Sequence, residues 1–354
     1  MVDRQKEFSG ASSVRSGFEL DEKALTAFME ENVEGFNGPI EIRQFKGGQS
    51  NPTYQILAGD KKYVLRRKPS GKLLKSAHAV DREYKVISAL NQTDVPVPKT
   101  YALCTDETII GSWFYIMDCV EGRIFWTLEN TPLEQRPEIL DAMNSAQAKL
   151  HMLDYEAIGL GDFGQKGSYF SRQISRWSKQ YKASVDEPYQ KMEELIQWLT
   201  ENIPANDETT IVHGDFRMDN MVFHSTEPKI LALLDWELST LGHPLSDFSY
   251  SCMFWHFPPG LGMPGVEGLD LKEMNLPTEE EYVKAYCQKT GRSRIDNWNY
   301  YMAFNFFRLS GICFGIKGRV RDGTASSKQA IATSGLAEPL ADIAMAQTKG
   351  RSTI

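Results

Sequence analysis

The sequence predicts an α+β fold of two lobes, in which a small antiparallel sheet with one helix precedes a larger, mainly helical lobe. The first indication is a series of short apolar runs separated by glycine turns between residues 40 and 67, which is typical of an antiparallel meander. The second is a change of pattern after residue 122. There, apolar residues recur at spacings of 4, 3, 4 and 3 along one helix face: Ile139, Met143, Ala146, Leu150 and Leu153.

Periodicity and turn residues predict the individual elements. Helices are predicted over residues 19–32, 76–90, 139–153, 170–182, 187–202, 278–290 and 296–309. Strands are predicted over residues 40–45, 53–57, 63–67, 100–104, 113–117, 210–212, 221–223 and 230–234. Residues 1–18 are polar and rich in Ser and Gly, and no element is predicted there.

Composition excludes several classes of protein. The 354 residues carry 39 Lys and Arg against 47 Asp and Glu, a net charge of −8, which disfavours a nucleic-acid partner. No apolar run is long enough to span a membrane, so no membrane partner is expected. The five cysteines lack a C-x-x-C motif, which predicts reduced thiols and a cytoplasmic location. The oligomeric state stays open.

Residues 213–220, with the sequence HGDFRMDN, contain the side chains most useful for chemistry. An apolar strand 15 residues after Asn220 ends at Asp235. Phosphoryl transfer depends on the placement of few groups. It needs a carboxylate that faces the attacking hydroxyl, a role that Asp215 can fill. It also needs hard oxygen ligands for Mg²⁺, which Asn220 and Asp235 can supply.

The spacing of His213, Asp215 and Asn220 is the H-x-D-x-x-x-x-N pattern of the kinase-fold catalytic loop. These residues resemble those of the aminoglycoside phosphotransferase family. Further segments extend the resemblance: residues 47–54, 81–84, 114–122 and 242–247. Within that family, three segments are most similar to the kinase-like domain of acyl-CoA dehydrogenase family members 10 and 11: GQSNPT at 48–53, YVLR at 63–66 and LDWELST at 234–240.

The resemblance implies a protein-kinase-like two-lobe fold with small-molecule phosphotransferase activity. In this interpretation residues 1–34 form an N-terminal extension and helix, and residues 35–117 form the N-lobe with the nucleotide-binding sheet and helix. Residues 118–122 are the hinge, and residues 123–354 are the helical C-lobe with the catalytic loop and the acceptor site.

The resemblance also implies a set of site residues. Asp215 and Arg217 are predicted to be catalytic, and Asn220, Asp235 and Glu237 to bind Mg²⁺. ATP is predicted to contact the glycine turn, a strand cation with its helix partner, and the hinge: Gly48, Gln49, Ser50, Asn51, Arg66, Glu83, Met117, Asp118 and Val120.

Several of these residues have a second interpretation. Arg66 occupies the strand position where protein kinases have lysine, and the alternative is a solvated strand edge. Other basic residues near it are further candidates: Lys62, Arg67 and Lys68. Arg217 either pairs with the catalytic carboxylate or the substrate, or is a surface arginine. Glu237 is either close to the metal or an exposed carboxylate.

Three neighbouring residues are expected to have roles outside the chemistry. His213 is expected to fix the geometry of the loop, and Asp247 to accept backbone N–H groups from it. Asp219 is expected to be solvated.

The predicted function is ATP- and Mg²⁺-dependent phosphorylation of a hydroxyl on a small molecule, with a hydroxyacyl-CoA-type acceptor implied by the resemblance. The segment after Asp235 is short and has no Ala-Pro-Glu, which disfavours a protein substrate. The alternatives are an aminoglycoside O-phosphotransferase and a catalytically idle pseudokinase that binds nucleotide.

Overall fold

The computed structural model describes residues 5, 7, 9–47, 51–69, 78–261 and 264–354. The chain divides into two compact units. The first contains residues 1–135, 154–163 and 217–239. The second contains residues 136–153, 164–216 and 240–354. The motif at 213–220 therefore begins in the second unit and ends in the first.

The first unit contains an antiparallel six-stranded sheet with the strand order β1-β2-β3-β4-β6-β5. Its strands are β1 (Ala11–Ser12), β2 (Glu41–Phe45), β3 (Thr53–Ala58), β4 (Lys61–Arg67), β5 (Thr100–Cys104) and β6 (Phe114–Asp118). Residues of β3 alternate between half-buried and buried, so one face of the strand meets the core. The absence of any element in residues 1–18 was a wrong prediction, because β1 pairs with the outer edge of β2.

Two longer helices and a short one accompany this sheet within the described residues between 9 and 135. They are α1 (Glu22–Asn32), α2 (Val80–Leu90) and α3 (Glu107–Ile110). Leu25 and Met29 of α1 lie in the core cluster with side chains of the sheet, which explains the apolar spacing of that helix. Asp21 caps α1 by accepting the N–H of Ala24, so the helix begins three residues later than predicted. The first predicted residues of α2, 76 and 77, lie outside the described part of the chain.

The first unit also contains the hairpin of β8 (Met221–Phe223) and β9 (Ile230–Leu233). Beyond the paired residues, the N–H of Leu234 donates to the carbonyl of Asn220 at 2.8 Å. The hairpin therefore brings the end of the 213–220 motif beside the residue that precedes Asp235.

The second unit is mainly helical, with one short antiparallel pair of strands, β7 (Thr210–Val212) and β10 (Thr240–Gly242). Its helices are α4 (Arg136–His151), α5 (Tyr169–Lys182), α6 (Gln190–Glu201), α7 (Pro244–Cys252), α8 (Glu279–Thr290), α9 (Trp298–Arg321), α10 (Lys328–Ser334) and α11 (Ala337–Gln347). Helix α7 has proline in its first turn, where a missing N–H costs nothing. No helix in the described ranges is long and apolar enough to cross a bilayer.

Helix α9 differs most from its prediction, because it continues for twelve residues beyond 309 to Arg321. The added turns contain glycines that allow another segment to pack closely. A Cβ on Gly318 would lie 2.8 Å from the carbonyl oxygen of Ser184, just after α5. A larger residue there would push the two segments apart.

Candidate active site

Three carboxylates converge in the first unit. One oxygen from each of Glu83, Asp235 and Glu237 lies within 4.8 Å of the others. Glu83 comes from α2, whereas Asp235 and Glu237 follow β9. Residues separated by about 150 positions in the sequence thus form one polar cluster.

Arg66 of β4 supplies the positive charge of this cluster. Its Nη2 lies 2.6 Å from Asp235 Oδ1, and its Nε lies 2.9 Å from Glu83 Oε2. Only 10% of the Arg66 side chain is exposed, so the alternative of a solvated strand edge is wrong. On the neighbouring strand Tyr115 is the register partner of Arg66, and its hydroxyl donates to Glu83 Oε2 at 2.9 Å. The sheet therefore directs two donors at one carboxylate.

Asn51 links the remaining members of the cluster. Its side-chain amide donates to Glu83 Oε1 at 3.1 Å and approaches Glu237 Oε2 at 3.5 Å. The Nδ1 of His78 lies 3.1 Å from Asn51 Oδ1. Glu237 is 22% exposed and within 3.8 Å of Arg66, so the alternative of an exposed carboxylate is also wrong.

In this cluster, burial and ion pairing shift the pKa values of the charged side chains in opposite directions. Burial disfavours the charge on Arg66, but Glu83 and Asp235 outweigh this effect and raise its pKa. Burial raises the pKa of Glu83, although Arg66 opposes the shift. Burial likewise raises the pKa of Glu237, again against the effect of Arg66. Arg66 therefore stays charged, and it stabilises carboxylates that burial alone would tend to protonate.

Asp235 has an unusual backbone. Its φ of 63° and ψ of 61° lie in the left-handed region, which costs a residue with a Cβ about 1–2 kcal/mol. The residue precedes a short 3₁₀ helix, Trp236–Leu238, whose tryptophan is buried and donates from Nε1 to the carbonyl of Leu233. This turn presents the carboxylate of Asp235 to Arg66 rather than continuing the strand.

The donor set fits Mg²⁺. Carboxylate oxygens are the ligands that this hard cation prefers, and the backbone of Asn220, a residue whose side chain has an amide oxygen, lies at the adjacent end of the hairpin. Arg66 shows independently that the three carboxylates accommodate a cation at this position. The chemistry of the residues is therefore consistent with a divalent ion held by Asn220, Asp235 and Glu237.

The catalytic-loop motif begins in the second unit, where Asp247 of α7 holds its backbone. The N–H groups of His213 and Gly214 donate to the Asp247 carboxylate at 3.0 and 2.8 Å. Burial opposes the charge on Asp247, but hydrogen bonding from His151 and Gly214 outweighs it and lowers the pKa to about 2. The expectation that Asp247 accepts backbone groups of the loop is confirmed.

Side chains of the loop are held as well. The hydroxyl of Tyr250 donates to Asp215 Oδ1 at 2.6 Å, and the N–H of Asp215 donates to Nδ1 of His213 at 3.3 Å. His213 thus fixes loop geometry, as expected. Ser251 donates to the carbonyl of Phe216 at 3.2 Å.

Arg217 and Asp219, in the first unit, form an ion pair with 3.2 Å between Nη2 and Oδ2. Asp219 is 11% exposed, so the expectation that it is solvated was wrong. The pair lies on the turn that leads into the hairpin. A catalytic role for Arg217 stays a prediction.

The predicted hinge continues from β6. Met117 is buried in the sheet opposite Val64, and the N–H of Asp118 donates to the carbonyl of Lys99. The Asp118 carboxylate accepts a hydrogen bond from Tyr101, and Val120 is half-buried. The segment ends at Gly122, where a Cβ would lie 2.1 Å from the carbonyl oxygen of Phe223. Only glycine fits this close approach.

The structure thus brings together Asn51, Arg66, Glu83, Asp235 and Glu237 in the first unit. Gly48, Gln49 and Ser50, predicted to cover phosphate, lie outside the described residues. Sequence analysis missed two side chains that contact the loop in the second unit, Tyr250 and Arg308. Tyr250 lies three residues after Asp247, a spacing that places both on one face of a helix, so a prediction of α7 would have revealed it.

Residues 41–296 match the family model described as the phosphotransferase enzyme family, APH. The chain belongs to this phosphotransferase family. It is 45% identical to mouse acyl-CoA dehydrogenase family member 10 over 310 residues, which are 87% of the chain and 29% of that protein. Human acyl-CoA dehydrogenase family member 11 is 38% identical, with 96% of the chain and 45% of that protein covered. The chain spans less than half the length of these curated relatives.

Solved structures agree with this assignment. A Ralstonia eutropha protein, provisionally assigned as an aminoglycoside phosphotransferase, is 49% identical, with a TM-score of 0.87 over 94% of this chain and 99% of that one. The choline kinase of Cryptosporidium parvum has a TM-score of 0.66 at 13% identity, over 93% and 96% of the two chains, and supports the fold alone. The predicted kinase-like α+β fold and the family resemblance are both confirmed.

Proposed function

We propose that this phosphotransferase family member transfers the terminal phosphoryl group of ATP, with Mg²⁺, to a hydroxyl of a small molecule. The observation that carries the proposal is the cluster in the first unit. There, a buried arginine and three carboxylates converge beside the hairpin that holds Asn220. Binding of a metal-nucleotide complex requires hard oxygen ligands for the metal. It also requires a cation that can exchange its carboxylate partners for phosphate oxygens.

The proposed roles follow from the chemistry of the side chains. Asn220, Asp235 and Glu237 hold Mg²⁺, which when bound neutralises phosphate charge. Arg66, oriented by Glu83, pairs with phosphate oxygens, a task for which the planar guanidinium is well suited. Gly48, Gln49, Ser50 and Asn51 contact the phosphates in this proposal, and Met117, Asp118 and Val120 border the adenine.

Asp215 receives the proton of the acceptor hydroxyl. The hydroxyl oxygen forms a bond to the terminal phosphorus, the bond from that phosphorus to the bridging oxygen breaks, and ADP leaves with the bonding electron pair. Arg217 orients the acceptor or the transferring group. Positioning and charge stabilisation supply most of the rate in this class of reaction.

A hydroxyacyl-CoA-type thioester is the proposed acceptor. The support is the similarity to acyl-CoA dehydrogenase family members 10 and 11, whose names connect them with acyl thioesters. An aminoglycoside is the competing acceptor, since the Ralstonia relative carries that assignment.

The test is release of ADP from Mg-ATP with hydroxyacyl-CoAs, aminoglycosides and choline-like alcohols, with the phosphorylated product identified by mass spectrometry. With the best acceptor, Asp215→Asn is expected to lower kcat by about 10²–10⁴-fold, because the proton acceptor is lost. Calorimetry is expected to show unchanged Mg-ATP binding. The control is Asp186→Asn, an exposed aspartate paired with Arg321, which should retain full activity.

Two results would contradict the proposal. Wild-type turnover by Asp215→Asn would remove the catalytic assignment. Tight Mg-ATP binding without product from any acceptor would favour the nucleotide-binding pseudokinase instead.

A further inference from the structure

We propose that Tyr250 is a positioning residue that fixes the carboxylate of Asp215 in the orientation used for proton acceptance. This inference rests on the proposed phosphotransferase function. It goes beyond that function because neither the sequence motif nor the metal and nucleotide ligands include Tyr250.

The hydrogen bond from the Tyr250 hydroxyl to Asp215 Oδ1 measures 2.6 Å, the short distance of a bond between a hydroxyl and an ionised carboxylate. Both partners lie in the second unit. The bond restricts rotation of the carboxylate about its Cβ–Cγ axis. Because a hydrogen bond to the ionised form stabilises that form, it also lowers the pH at which Asp215 becomes able to accept a proton.

Helix α7 gives Tyr250 a fixed base. Asp247, one helical turn earlier, binds the backbone of His213 and Gly214, and Ser251 binds the carbonyl of Phe216. One face of α7 therefore forms hydrogen bonds with the backbone on both sides of Asp215 and with the Asp215 side chain. These hydrogen bonds fix the loop backbone to the helix that also contains Tyr250.

Arg308 of α9 completes the support. Its Nη2 donates to the carbonyl of Gly214 at 2.8 Å, and its guanidinium carbon lies 5.1 Å from the centre of the Tyr250 ring. At this distance the cation is attracted to the ring face. Arg308 thus contacts both Gly214, the residue before Asp215, and the ring of Tyr250, whose hydroxyl is the donor.

Charged or titratable groups from two helices contact this part of the loop within the second unit. Tyr250 and Asp247 come from α7, and Arg308 comes from α9. His213 is the loop's own member. Replacing Tyr250 by phenylalanine removes the hydroxyl and leaves the ring and the other groups in place.

The experiment compares Tyr250→Phe with a matched control, Tyr189→Phe. Tyr189 also donates its hydroxyl to an aspartate, Asp342, at 3.0 Å, but this pair is exposed and does not involve the loop. Tyr250→Phe is expected to lower kcat on the order of ten- to a hundredfold, the range for a hydrogen bond to a charged group. The KM for Mg-ATP should stay unchanged, and the acid limb of the kcat profile should move to higher pH. Tyr189→Phe should match the wild type in kcat, in the KM for Mg-ATP and in the acid limb of the kcat profile.

A double variant separates positioning from a general structural effect. Tyr250→Phe added to Asp215→Asn should cause no further loss of kcat, because Tyr250 acts through Asp215. A further loss similar to that of the single Tyr250 variant would overturn the inference.

Carbon-13 NMR of the Asp215 side chain gives a readout that does not need turnover. Its titration midpoint should rise in Tyr250→Phe and stay constant in Tyr189→Phe. Equal kcat and equal midpoints in the two phenylalanine variants would overturn the inference while leaving the phosphotransferase function intact. Absence of transfer by the wild type would overturn the proposed function. The NMR titration midpoint would then be the test of the Tyr250–Asp215 hydrogen bond, because it does not depend on turnover.

Discussion

Asp247 and Glu83 are both buried carboxylates, but their partners differ in kind. Asp247 accepts backbone N–H groups of the catalytic loop and contacts His151, and its pKa is lowered to about 2. Glu83 contacts only side chains in its described hydrogen bonds and ion pairs, and its pKa is raised. Backbone groups cannot move without the chain, whereas side chains can exchange partners. We infer that the second unit holds a fixed support and the first unit an adjustable one.

Asp247→Ala tests the fixed support and should have the largest effect on stability. The substitution leaves two buried N–H groups and His151 without their acceptor, so the free energy of unfolding should fall by about 3–5 kcal/mol. Urea unfolding measures the loss. Asp186→Ala, on the surface, should change it by less than about 0.5 kcal/mol. Equal values for the two variants would contradict the distinction.

Arg66→Gln tests the adjustable cluster and should cost less, about 2–3 kcal/mol, because Glu83 can take up a proton once its cation is removed. Mg²⁺ should raise the unfolding midpoint of this variant more than that of the wild type, since the ion no longer competes with the guanidinium for the carboxylates. Thermal unfolding with and without Mg²⁺ checks both expectations.

The control for this substitution is Arg43→Gln, which removes an exposed arginine of the same sheet that pairs with Glu41. Its response to Mg²⁺ should equal that of the wild type. If Arg66→Gln responds no more strongly than the wild type, Arg66 and the ion do not compete for the carboxylates.

Acid should remove a smaller part of the stability, through Asp247. Its folded pKa of about 2 lies below the ordinary 3.8, so ionised Asp247 favours folding above pH 4. That contribution, about 2 kcal/mol, is lost as the pH falls from about 4 to about 2. Urea unfolding across this range should show the loss in the wild type and a reduced loss in Asp247→Asn. Identical pH slopes would show that Asp247 is not the group responsible.

Short-range sequence patterns made much of the fold and part of the candidate site predictable. Strands at 100–104, 210–212 and 221–223 were predicted at their observed bounds, because apolar runs between turn residues are a short-range pattern. The HGDFRMDN motif is also a short-range pattern, and it indicated Asp215 and Asn220 as candidate site residues. The backbone interaction of Asp247 was also expected.

Contacts that depend on tertiary packing could not be predicted in this way. Arg308 reaches Gly214 from a helix 94 residues later, and no spacing rule connects them. The pairing of Asn51 with Glu83 and Glu237 depends on how a strand, a helix and a hairpin meet. Helix α9 was predicted to end at residue 309 but continues to Arg321. Its last turns include Gly315 and Gly318, which lie close to Gln180 and Ser184, and a local pattern does not reveal such contacts.

The left-handed backbone at Asp235 has a consequence for mutation. Asparagine and glycine are the residues that tolerate this conformation best besides aspartate, and each is a single base change away from an aspartate codon. Either change removes the carboxylate with little strain on the turn. A lineage carrying this fold can therefore lose a proposed metal ligand in one mutational step and still inherit an intact protein.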